Sequence, residues 1–207
     1  MTRVLTPRNL YDKKHKTFDF TGSWLEIFGN PESHGAWLIW GTDKNGKTWF
    51  TLKLAQYLST LTKVLYVSAE EGTGSAFVET CKRIGIDSNG KLHFLEYTPL
   101  EEIEELLKKR AGYKVVIIDN ITVFQDELKN GAFRRLLKDY PSVLFVFLAH
   151  EERNEPYTAT AKLARKLAKV IVYVQGLACI VSGRVPGGSI TIDEEKAQLF
   201  HGTQILE

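Results

Sequence analysis

Cysteine is almost missing from this chain. The two present, Cys81 and Cys179, stand in no CxxC pair and beside no pair of histidines. That excludes a zinc site of the usual ligand spacing and suits a reducing compartment, where both thiols read as small core residues. Long apolar runs are missing too: no stretch approaches the roughly 18 residues that span a bilayer, and the opening MTRVLTPR lacks the apolar centre of a signal peptide. No membrane association and a cytoplasmic location are therefore expected. A dominant charge is also lacking. With 27 basic and 25 acidic residues the net charge is +2, too small to imply a nucleic-acid partner by itself. There is no internal repeat and no low-complexity tract, and 207 residues are enough for one large domain with a substantial core and no disulfide scaffold.

What is there begins with a polar, irregular stretch. Residues 1–35 contain the basic run Lys13, Lys14, His15, Lys16 and read as an arm with a short helix around 24–28. From residue 36 to 207 the texture is that of a core. Short apolar runs, AWLIW at 36–40, VLYVS at 64–68, LHFLEY at 92–97, VVIID at 115–119 and VLFVFLA at 143–149, alternate with helical patterns. Near-continuous apolar strands separated by helices predict a mostly parallel sheet covered on both faces. Thr98-Pro99-Leu100-Glu101 reads as a capping box with proline at the first helical position, opening a helix with a stripe of Leu100, Ile103, Leu106 and Leu107. Phe133, Leu136 and Leu137 mark another helix, and Leu163, Leu167 and Val170 a third, before the strand IVYV at 171–174. The runs LACIVS, SITID and AQLFHG, separated by Gly and Pro turns, predict a C-terminal antiparallel extension.

Gly41-Thr42-Asp43-Lys44-Asn45-Gly46-Lys47-Thr48 fits G-x-x-x-x-G-K-[ST] without a mismatch, follows an apolar strand and opens an amphipathic helix carrying Phe50, Leu54, Tyr57 and Leu58. The chemistry needs that context: glycines let backbone N–H groups turn inward on phosphates, and the helix N-terminus adds positive potential. The loop is expected to hold ATP, with Lys47 on the β and γ phosphates and Thr48 on a magnesium ion. Asp43 inside the loop would repel phosphate unless turned to solvent, and Lys44 would partly offset its charge.

Three further residues belong to the same predicted sheet edge. Asp119 ends an apolar strand downstream of the loop and is a candidate for the magnesium shell. Ser68-Ala69-Glu70-Glu71-Gly72 closes the strand after the loop's helix, and Glu70, ahead of Glu71, is the candidate to activate the attacking water. His150 ends VLFVFLA, where a polar group can sense the γ phosphate.

In order along the chain, GTDKNGKT, KVLYVSAEEG, VVIIDN and FLAH resemble the RecA-like P-loop ATPase superfamily, and more closely its RadA/Sms and DnaB-type branch, over about residues 24–200. The resemblance implies a RecA-like α/β fold, ATP hydrolysis, a catalytic glutamate at Glu70, a sensor at His150 and magnesium at Thr48 and Asp119. Ser182-Gly183-Arg184 looks like the family's late K-x-R motif with serine in place of lysine, which implies Arg184 as a finger reaching a neighbour's nucleotide in a homo-oligomer. The chain lacks the additional domains of RadA/Sms and DnaB and so resembles a minimal core of phage or mobile-element type. Lys162, Arg165, Lys166 and Lys169 repeat at helical spacing and form a candidate stripe for single-stranded DNA. The loop after His150 is too acidic to help, although Arg153 and Tyr157 could add one charge and one stacking surface. The first expectation is an ATPase of recombination or replication acting on single-stranded DNA. The alternative is a regulatory ATPase with a KaiC-like core that switches a protein partner; a small-molecule kinase is third, for want of an arginine-rich lid.

Overall fold

The computed structural model describes residues 4–192. Two short helices, α1 (Pro7–Tyr11) and α2 (Gly22–Phe28), lead into β1 (Gly35–Gly41), and α3 (Lys47–Leu61) leads from there to β2 (Val64–Ser68). Then follow α4 (Ser75–Ile84), β3 (Leu92–Glu96), α5 (Leu100–Lys108), β4 (Val115–Asp119), α6 (Gln125–Leu128), α7 (Ala132–Asp139) and β5 (Leu144–Glu152). The described chain ends with β6 (Glu155–Pro156), α8 (Ala159–Leu167), β7 (Val170–Gln175), β8 (Ala178–Gly183) and β9 (Gly188–Thr191).

The strands form one sheet in the order β3-β2-β4-β5-β1-β7-β8-β9, with β6 paired to the end of β5. From β3 to β7 every neighbour is parallel, whereas β8 and β9 add antiparallel. Alternation along each strand divides the interior into two cores. Trp37 and Ile39 of β1 face a layer containing α3 and Phe77 of α4; Leu38 and Trp40 face one containing α5, α7 and α8. The α/β expectation, parallel sheet with an antiparallel C-terminal extension, is what the backbone forms, because strands buried on both faces need helices on both. Every parallel strand therefore points its C-terminal end at one edge, where Gly41, Ser68, Asp119 and His150 lie together.

Several local expectations are corrected. The 98–101 segment does not form a capping box: Pro99 is the N-cap, Thr98 turns its hydroxyl back to the Glu96 carbonyl, and the Leu100 N–H donates instead to Glu127 Oε2 at 2.6 Å. Val170 is the first residue of β7, since α8 stops at Leu167 and Ala168 is extended. β3 is an edge strand and only half-buried, not fully covered like its neighbours. Helix α4 has no counterpart in the sequence reading; its apolar positions are few, with Phe77 buried and Cys81 half-buried. The run AQLFHG lies outside the described residues.

The irregular first segment is seated on the core. Phe18, Phe20 and Phe28 are buried, and Phe20 meets Trp37 and Tyr57 edge-on at centroid distances of 6.5 and 5.1 Å. Only aromatic spacing could have signalled this, because the intervening residues are polar. Cys179 is buried, as read from the sequence, and burial pushes its thiol up to about 12.

Candidate functional site

Between the end of β1 and the start of α3 the chain has room for glycine alone at two points. A Cβ on Gly41 would lie 2.0 Å from the Val174 carbonyl of β7. Gly46, left-handed at φ 97°, would drive one into Leu177 and Ile192 at 2.8 and 2.9 Å. With Gly46 as N-cap, α3 begins without a side-chain cap, so its first N–H groups are open to an anion from outside the helix. Asn45 braces the loop: its Oδ1 accepts from the Gly176 N–H at 2.9 Å and its Nδ2 donates to the Asp43 carbonyl at 3.0 Å. Thr42 donates to Glu151 Oε2 at 3.3 Å, and Lys44, at φ 61°, lines the cleft.

Lys47 is buried, and its ammonium donates to the Gly41 and Thr42 carbonyls at 2.9 and 2.8 Å and lies 3.4 Å from Asp43 Oδ1. Asp43 is solvent-exposed, as expected, but its counter-charge is not Lys44: Oδ1 sits between Lys47 and His150 Nδ1. Partial burial pushes Asp43 up, but His150 and Lys47 together outweigh it and hold the carboxyl below its usual range.

From His150 the contacts continue. Its Nε2 lies 3.0 Å from Glu70 Oε2, and Asn120 Nδ2 donates to the same oxygen at 2.7 Å. Asp43, His150, Glu70 and Asn120 thus form one connected polar chain across the ends of four strands, β1, β5, β2 and β4. Glu71 lines the same cleft, of about 360 Å³. Asn120 is a residue whose part the sequence reading missed, although it stands directly after Asp119.

Asp119 is buried and accepts from the Tyr66 hydroxyl at 2.6 Å and from Thr48 Oγ1 at 3.3 Å. Burial drives its carboxyl from the ordinary 3.8 up to about 6; the Tyr66 hydrogen bond opposes the rise, and the negative charges of Glu71 and Glu70 add to it. Thr48 and Asp119 present hard oxygens side by side, and a desolvated carboxylate gains from a cation, so these residues fit magnesium. Among the described residues no cluster of three or more His, Cys, Asp or Glu side chains is gathered for a metal. Tyr66 had no sequence signal, since its reach to Asp119 depends on the β2–β4 register.

The buried carboxylate has a consequence for stability. The folded-state pKa of Asp119 is raised, so the native protein holds more protons than the unfolded chain between 3.8 and about 6, and stability is lost as pH rises through that window. Roughly 3 kcal/mol is forgone above it. Asp119→Asn is expected to stabilise metal-free protein by about 2 to 3 kcal/mol at pH 8 and by little at pH 4. Urea denaturation at the two pH values measures this.

Not all candidates meet at the cleft. Arg184 donates its N–H to the Lys169 carbonyl at 2.7 Å, and Lys169 pairs with Ala36 at the start of β1. Arg184 is thus at the opposite end of the sheet from its own loop, about 20 Å away at the rise of a strand. The basic stripe does not form as one helix face, because α8 ends at Leu167 and Lys169 lies beyond it, and it is largely occupied: Lys162 pairs with Glu155 at 2.6 Å, Arg165 lies over the Trp40 ring at 4.8 Å, and Lys169 pairs with Glu32. Only Lys166 of the four stands without such a contact among the described residues. Among those residues, too, no helix is long and apolar enough to cross a membrane.

No protein-family model matches the sequence, and no curated protein matches it. Solved structures do. The flagellar accessory protein FlaH from Methanocaldococcus jannaschii superposes with a TM-score of 0.62 at 16% identity, covering 87% of this chain and 96% of that one. A KaiC-like protein, PH0186, from Pyrococcus horikoshii OT3 superposes with a TM-score of 0.58 at 15% identity, covering 86% of this chain and 92% of its own. At such identities the likeness speaks for the backbone, and together with the sheet order it gives this chain the RecA-like α/β fold.

Proposed function

We propose that this chain binds ATP in the cleft at the C-terminal edge of the sheet, hydrolyses it, and acts on single-stranded DNA in recombination or replication. The observation that carries the ATPase reading is the meeting, at one sheet edge, of the loop at 41–48, the Thr48–Asp119 pair and a glutamate held by two partners. Lys47 turns from the Thr42 carbonyl and Asp43 toward the β and γ phosphates, while the open N–H groups of α3 bind them from below. Thr48 and Asp119 hold magnesium, which supplies charge neutralisation on the phosphates when bound. Glu70, fixed by Asn120 and His150, orients the attacking water and takes its proton. His150, touching both Glu70 and Asp43, is placed to transmit the arrival of the γ phosphate from loop to base. The RadA/Sms and DnaB-type resemblance of KVLYVSAEEG supports this role for Glu70 and is the ground for the DNA-linked, phage-type reading.

The engaged α8 stripe favours a second reading, a KaiC-like regulatory ATPase with a protein partner. Phosphate release from Mg-ATP, measured with and without a single-stranded oligonucleotide across salt concentrations, separates the two. Stimulation supports the first; hydrolysis that is indifferent to an oligonucleotide that also fails to bind supports the second; no hydrolysis overturns both.

Arg184 cannot serve its own loop from the far sheet edge, so a catalytic part for it requires a neighbouring subunit of a homo-oligomer. Mixing inactive Lys47→Ala with inactive Arg184→Ala subunits then restores part of the activity, because some interfaces pair an intact loop with an intact arginine. Full activity of Arg184→Ala alone would reduce the residue to an exposed turn arginine.

A further inference from the structure

The cations that α8 does not offer are gathered elsewhere. At the edge where β1 and β7 begin, a concavity of about 420 Å³ is bordered by Lys13, Lys14 and Lys16 of the first segment, by Lys169 and by Arg184. Pro141 and Ser142 also line it. Three separate parts of the chain therefore bring five cations to one hollow, and Glu32 is its one carboxylate.

That carboxylate is spent on construction. Glu32 pairs with Lys169, lies 3.1 Å from His15 Nδ1 and 3.8 Å from His34 Nε2, and is held below its usual range, chiefly by the Lys169 hydrogen bond. The basic run is pinned beside it: the Ser33 N–H donates to the Lys16 carbonyl at 3.0 Å, and Thr17 bridges Glu32. Burial, then the nearby Lys169, lower the pKa of His34, with Glu32 opposing them. Lys13, Lys14, Lys16 and Arg184 are exposed, and none has an ion pair among the described residues. Tyr11, 82% exposed, stands two residues before the run.

Unpaired lysines on an anchored backbone, repeated at one- and two-residue spacing along a hollow, match a flexible chain of phosphates. We infer that this hollow binds the phosphodiester backbone of a single-stranded nucleic acid, on the face of the sheet edge remote from the nucleotide loop. Tyr11 is not part of the hollow's lining, and its exposed ring two residues before the run offers a stacking surface indifferent to base identity to a strand that continues past the hollow. A membrane is a poorer fit, since a plane of head groups does not enter a concavity lined by Pro141 and Ser142. The inference rests on the DNA-linked reading above and moves its contact surface from the exposed face of α8 to the sheet edge beyond its C-terminal end, beside Lys169.

The test is fluorescence anisotropy of a labelled oligothymidylate with the full chain, titrated across salt. Lys13→Glu, Lys14→Glu and Lys16→Glu together should weaken binding about tenfold or more and remove about two units from the salt slope, at about 0.7 unit per phosphate contact on a single strand. Lys162→Ala with Lys166→Ala should change little. Arg184 is left intact so that basal hydrolysis reports on folding, and it should stay at the wild-type level in the triple variant. Wild-type affinity in the triple variant overturns the site while leaving a DNA-linked ATPase standing, and so does loss of binding in the α8 variant alone. No oligonucleotide binding by the wild type overturns the site and the DNA-linked reading together. Binding to phosphatidylserine vesicles without binding to the oligonucleotide, or equal displacement by poly-glutamate, overturns the choice of partner.

Discussion

Lys47→Ala is expected to abolish detectable phosphate release, a fall of roughly 10³-fold, and to weaken ATP binding about tenfold or more. The ammonium sits at the mouth of the helix, buried, bonded to the Gly41 and Thr42 carbonyls and close to Asp43. Nothing else in the loop combines positive charge with that position, because Lys44 is exposed and Asn45 is turned to the β7–β8 hairpin. The charge is required most when the terminal phosphate is leaving, so the rate should suffer more than the affinity. Lys47→Met, which keeps the buried stem, guards against a loss caused by packing. Isothermal titration with ATP and a coupled phosphate assay on both variants check the result; hydrolysis near the wild-type rate in the methionine variant would falsify the assignment of the loop.

The parts of the protein legible in the sequence are those written by local chemistry. Continuous apolar runs read as strands buried on both faces, which holds for β1, β2, β4 and β5 although not for the edge strand β3, and the parallel sheet they form brings Gly41, Ser68, Asp119 and His150 to one edge. The glycines at 41 and 46 are dictated by contacts with β7 and Leu177, which a motif captures without showing. What depends on register or on the far side of the molecule was not legible. Tyr66 reaches Asp119 only because β2 and β4 pair as they do, and Glu127 caps α5 from 27 residues away. The same limit applies to charge. Lys162, Arg165 and Lys169 are at helical spacing in the sequence, yet α8 ends before Lys169 and each has a partner distant in sequence or on another element: Glu155, Trp40 and Glu32. Spacing says which side chains share a face, but not what that face meets.

Glu70→Gln separates binding from chemistry. Glu70 Oε2 receives Asn120 and faces His150 Nε2, and an amide can keep both contacts if its oxygen turns to Asn120 and its NH₂ to the ring. A neutral imidazole that donates from Nδ1 to Asp43 can accept at Nε2, so the substitution leaves no group without a partner. The fold and the loop should be undisturbed. With one negative charge removed beside the phosphates, ATP affinity should hold or rise slightly, while hydrolysis falls roughly 10²- to 10⁴-fold for want of a base. Glu71→Gln removes a similar charge from the same cleft but takes away neither the Asn120 nor the His150 contact, so its rate should stay within a few-fold of wild type. Single-turnover hydrolysis beside equilibrium ATP binding distinguishes the two variants. A large rate loss in Glu71→Gln with a near-normal Glu70→Gln would transfer the role of base to the neighbour, and the polar chain from Asp43 to Asn120 would then be a brace for the loop alone.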